Sequence, residues 1–100
     1  MTPRIDVHKR RESPEAEVLA LRAASFLAAD PERLVRFMDL TGIDAAALRR
    51  SLAEPAFLGG LLDHLLADET LLLMFAESQQ IRPEEVVKAR RQLPGAAIDI

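Results

Sequence analysis

Apolar residues return every three or four positions through most of the chain, in short runs broken by proline, aspartate or glycine, and this spacing predicts six short helices. The first opens at Ser13-Pro14-Glu15: a hydroxyl at the N-cap, proline at the first helical position, and an acid at the positive end of the dipole. Its apolar stripe is Leu19, Ala23, Phe26 and Leu27, with Val18 beside it. Asp30-Pro31-Glu32 repeats the start signal. The second helix turns Leu34, Phe37 and Met38 inward, Leu40 is a further candidate, and Arg33 and Arg36 point elsewhere. Gly42 suits the left-handed residue that ends a helix, Ile43 can pack back over that end, and Asp44 caps the next start. The third helix, about Ala45 to Ala53, buries Leu48 and Leu52 and exposes Arg49 and Arg50.

Glu54-Pro55 begins a second set. The fourth helix, about Ala56 to Leu66, carries a wide apolar face of Phe57, Leu58, Leu61, Leu62 and Leu65. Inside it stands Gly59-Gly60, where each glycine costs about 1 kcal/mol relative to alanine. A close helix crossing within the molecule is the expected reason for keeping them. Asp68 caps a fifth helix, whose unbroken run Leu71 to Phe75 predicts a central element covered on nearly all sides. Pro83 starts the sixth, with Glu84 and Glu85 at its positive end and Lys88, Arg90 and Arg91 toward its negative end. Leu93-Pro94-Gly95 stops it.

The two sets resemble each other. A shift of 38 positions carries Leu27, Ala29, Asp30, Leu34, Phe37 and Ile43 onto Leu65, Ala67, Asp68, Leu72, Phe75 and Ile81, all identical. The expected fold is therefore all-α: a compact bundle of about six short helices, built as two pseudo-repeated three-helix halves, 17–54 and 55–92. Residues 1–12 carry Arg4, His8, Lys9, Arg10 and Arg11 without a helical apolar pattern and are expected as a mobile basic tail. Residues 13–94 form the single domain, and 95–100 a short apolar C-terminal tail.

Length and charge narrow the functions. One hundred residues make one domain near the size at which a core is stable without disulfides or metal, and there is no cysteine to supply either a disulfide or a thiolate site. A net charge of −3 disfavours binding that depends on neutralising phosphates. The stretch Phe57–Ala76 is about as long as a bilayer-spanning helix, but Asp63, His64, Asp68 and Glu69 interrupt it, so no membrane span is expected. The first residues lack the apolar run of a secretory signal, which points to the cytoplasm.

Candidate chemistry is sparse. Asp63, His64, Asp68 and Glu69 are the densest set of potential ligands, but Asp68 already serves as an N-cap and Glu69 as its dipole partner. No nucleophile elbow, phosphate-cradling glycine loop or metalloprotease motif is present. The expectation is a chain that is not an enzyme and has no metal or cofactor.

Asp30-Pro31-Glu32-Arg33-Leu34, Leu40-Thr41-Gly42-Ile43, Pro55-Ala56-Phe57-Leu58 and Leu65-Leu66-Ala67-Asp68-Glu69, in this order and spacing, resemble a family of small alphaproteobacterial proteins known only as domain of unknown function 3572. The resemblance covers about residues 14–94. It implies a bacterial cytoplasmic protein and brings no activity, cofactor or catalytic residue with it.

The residues themselves point to a non-enzymatic interaction or scaffold module. It would act through a protein partner or self-association, a homodimer included, with Arg49, Arg50, Lys88, Arg90 and Arg91 as a charged rim. The alternative is helix-turn-helix-like DNA binding, because the second and third helices and the turn at Thr41-Gly42 have about the right lengths. Against it, the N-terminal residues of the would-be reading helices are Ala45, Ala46 and Ala47 in one half and Pro83, Glu84 and Glu85 in the other. Alanine offers no hydrogen bond to a base, and glutamate repels phosphate.

Overall fold

The computed structural model describes residues 14–95. Six helices follow one another: α1 (Pro14–Ala28), α2 (Pro31–Thr41), α3 (Ala45–Ser51), α4 (Pro55–Leu66), α5 (Glu69–Gln79) and α6 (Pro83–Arg91), with no strand among the described residues. Ser13, the basic stretch 1–12 and residues 96–100 of the C-terminal tail lie outside the described residues.

Local chemistry sets the boundaries. Asp30, Asp44 and Asp68 each stand at an N-cap in extended conformation. Their carboxylates accept hydrogen bonds from the amides of Glu32, Ala47 and Leu71 at 2.9, 2.8 and 3.1 Å. Each such bond satisfies an amide that has no partner inside its helix. Gly42 ends α2 with φ +75°, and its amide donates to the Met38 carbonyl at 2.8 Å. Gln80 ends α5 in the same left-handed region, with φ +57°, although it carries a side chain. The second half thus keeps the conformation without the glycine that favours it. The bounds of α5 lie 38 positions beyond those of α2 at both ends, and α6 begins 38 positions beyond α3.

The core sits on α4, which packs against α1, α5 and α6. Leu61, Leu62 and Leu65 have no exposed surface, and Leu58 and Gly59 are also buried. The central element is therefore α4 and not α5, where it was expected. An apolar run of five residues covers more than a full helical turn, so it cannot all face inward when packing is mainly to one side. On α5 only Phe75 and Ala76 are buried, while Leu73 and Met74 stand nearly half exposed. The buried line of α1 is likewise rotated from the expected one: it runs Ala16, Ala20, Ala23 and Leu27, with Leu19 and Phe26 partly buried and Val18 exposed. Small side chains let α1 approach its neighbours closely. Leu40 points outward, and Leu48 and Leu52 are only partly buried. No residue of α3 is buried, and α3 has no extended packing contact with any other helix.

The four phenylalanines form two edge-to-face pairs: Phe26 with Phe75, centroids 5.3 Å apart, and Phe37 with Phe57, 6.2 Å apart. These pairs tie α1 to α5 and α2 to α4. Arg33 lies over the outer face of Phe26, its guanidinium carbon 4.1 Å from the ring centre.

The glycine pair separates into two unlike positions. A Cβ on Gly59 would stand 2.5 Å from Nη1 of Arg90 and 2.9 Å from the Pro94 carbonyl oxygen. The helix crossing expected at the pair is therefore not what lies against it: the space at Gly59 is taken by the head of Arg90 and the Pro94 carbonyl after α6. Around Gly60 nothing lies within 4 Å of such a Cβ. Neighbouring identical substitutions should therefore have opposite signs. Gly60→Ala is expected to stabilise by up to about 1 kcal/mol through helix propensity. Gly59→Ala should destabilise by about 1–3 kcal/mol by overpacking. Urea midpoints of the two variants against the parent check both.

Candidate interaction surface

Of the five basic residues expected as a rim, Arg49, Arg50, Lys88 and Arg91 are exposed. Arg90 is not: it is 7% exposed and belongs to the interior. Its Nε and Nη2 donate to Oδ1 and Oδ2 of Asp63 at 2.6 and 3.1 Å, and Nη1 donates to the carbonyls of Leu93 and Pro94 at 3.1 and 3.2 Å. A planar guanidinium suits this arrangement, since two parallel bonds meet the carboxylate while the remaining nitrogen turns to the free carbonyls after α6. The signal was present in the sequence as Gly59, a position without a side chain opposite the arginine. Periodicity alone does not connect residues 27 positions apart.

The same bond removes Asp63 from the ligand set around His64. Asp68 is engaged as the α5 N-cap. Among the described residues no three His, Cys, Asp or Glu side chains gather into a group able to hold a metal.

His64 is held where α4 meets α2. Its ring stands edge to face with Phe37, centroids 5.0 Å apart, and its Nε2 is buried without a hydrogen-bond partner. Desolvation by burial lowers its pKa below the ordinary value of 6.5; the Asp68 carboxylate pulls the other way, and Arg36 adds to the lowering. Neutral imidazole is therefore the form that the fold accepts.

The exposed large apolar side chains among the described residues lie on three helices. They are Val18 and Leu21 on α1, Val35 and Leu40 on α2, and Leu73 and Met74 on α5. On α2 they accompany Pro31, Glu32, Arg36 and Asp39 along a shallow outer face. A second, more deeply set groove runs between the end of α2, the start of α3 and the first turns of α4, with Phe37, Ile43, Ala47, Phe57 and Gly60 in its lining. No helix among the described residues is long and apolar enough to cross a membrane.

A family model described as "Protein of unknown function (DUF3572)" matches residues 13–96. The chain belongs to the DUF3572 family. That match spans every helix described above, so the DUF3572 domain and the six-helix fold are the same unit. No curated protein matches the chain, and neither does any solved structure.

The position of His64 has a pH consequence. Its folded-state pKa lies below its unfolded value, so the unfolded chain takes up the proton first. The stability that neutral His64 allows is fully present above pH 6.5 and is lost as the pH falls through 6.5 toward the lowered folded value. Denaturation midpoints measured from pH 7.5 to 5.5 are expected to fall in the parent, and the fall should be smaller in His64→Leu.

Proposed function

We propose that this DUF3572 domain is a non-enzymatic, cytoplasmic protein-interaction module and that the outer face of α2 pairs with a second copy of the chain. The carrying observation is the exposure of Leu40 and Val35, 66% and 51%, the largest among the exposed big apolar side chains, on one helix beside two opposite charges. An isologous pairing uses the same face twice. In an antiparallel arrangement centred near residues 37 and 38, Arg36 meets the partner's Asp39, and Val35 meets the partner's Leu40. Both contacts then recur by symmetry. A helix of 11 residues is only about 16 Å long, so the contact is small and the dimer weak. Arg49, Arg50, Lys88 and Arg91 remain in solvent as the rim offered to a further protein.

Light scattering over a range of protein concentrations tests this reading. A mass rising toward twice 11.1 kDa, returned to the monomer value by Val35→Asp with Leu40→Asp, is the expected result. Arg36→Asp or Asp39→Arg alone should weaken the association, and the two together should restore it. A monomer at every concentration would overturn the pairing. A low-salt mobility shift with duplex DNA, lost on Arg49→Ala with Arg50→Ala, would favour the helix-turn-helix reading instead.

A further inference from the structure

We propose that the cleft between the first half of α1 and the end of α5 binds a small monocarboxylate with an aliphatic body, of the size of a medium-chain fatty acid. The cleft holds about 360 Å³, within the range of small-molecule sites. Apolar side chains make its floor, and a guanidinium stands at one end.

The two walls come from separate parts of the chain. Pro14, Val18 and Arg22 follow one another at four-residue spacing, with Leu19 beside them, and so share one face of α1. From Pro14 to Arg22 that wall is about 12 Å long. The opposite wall is the turn after α5. Gln80 stands there in the left-handed region at φ +57°, and the residues on either side of it, Gln79 and Ile81, both line the cleft. Val18 is 49% exposed, while Leu19 and Ile81 are partly buried, so the floor can be reached from solvent. An aliphatic body laid along it takes apolar surface out of water on both sides.

Charge decides what the ligand carries. Among the described residues Arg22 has no carboxylate partner, and its Nη1 donates to the neutral Oε1 of Gln79 at 3.3 Å. A guanidinium carries more N–H donors than one amide can meet, and a planar carboxylate is its strongest partner. Glu15 lines the cleft seven residues before Arg22, about 10 Å away along the helix axis, and repels an anion at that end. One carboxylate at Arg22 with an uncharged body running toward Pro14 satisfies both ends. The cleft shares no residue with the outer face of α2, so its occupancy and the pairing proposed above are tested separately.

Amide shifts of the full-length chain, titrated with sodium octanoate below its micellar range, test the site. Saturable shifts at Val18, Leu19, Arg22, Gln79 and Ile81 are expected, and Arg22→Glu should raise the Kd by about tenfold or more. Arg22 is exposed, so this substitution leaves the interior untouched. Suberate, whose second carboxylate meets Glu15, should bind more weakly than octanoate, and Glu15→Gln should narrow that difference. Shifts that never saturate, that spread equally to Val35, Leu40, Leu73 and Met74, or that survive Arg22→Glu unchanged would overturn the proposal. So would saturation by a peptide ending in a free leucine carboxylate where octanoate gives none, which would assign the cleft to the C-terminus of a protein.

Discussion

The fold depends on bringing a charged side chain into contact with the most buried helix without leaving any of its polar atoms stranded. Arg90 does this by meeting Asp63 with two hydrogen bonds and the carbonyls of Leu93 and Pro94 with a third nitrogen, in the space that Gly59 leaves open. Each part needs the others. Without the glycine the guanidinium has no room; without Asp63 a buried cation has no counter-charge; without Arg90 the carbonyls that follow α6 lose their donor. The arrangement holds α6 and the chain after it against α4, and with α1 this closes the apolar interior around Leu61, Leu62 and Leu65.

The first half has no such arrangement. The positions 38 residues before Gly59, Asp63 and Arg90 are Leu21, Ser25 and Leu52, which cannot reproduce a charged pair beneath a missing side chain. Leu21 is exposed and Leu52 only partly buried. Accordingly α3 and α6, although they begin at corresponding positions, stand differently: α6 packs on α1, α4 and α5, and α3 packs extensively on none of them.

Element existence was legible in the sequence because it rests on local rules. Aspartate caps, prolines at first helical positions and the Gly42 stop act within four residues, and all six helices begin within a residue or two of where these signals place them. What is buried depends on neighbours, which local rules do not contain. The run Leu71 to Phe75 is more continuously apolar than α4, yet α4 is the central helix, because its apolar face is wide and it has neighbours on several sides. The alanines of α1 carry too little hydrophobic weight to mark a core line, although their small size is why they form it. Arg90 was misplaced for the same reason. Its charge and its position near a helix end suit an exposed, dipole-facing residue, and only the distant Gly59 and Asp63 say otherwise.

The sparse packing of α3 bears on how the domain comes apart. A helix of seven residues is too short to persist in water alone and takes its stability from what it rests against. With Asp44 capping one end and only partly buried leucines beneath it, α3 is the helix with the least burial to hold it, which is where local opening costs least. Opening there would change the surface that the turn after Gly42 presents to other molecules, and it would uncover the part of the core on which Leu48 and Leu52 rest.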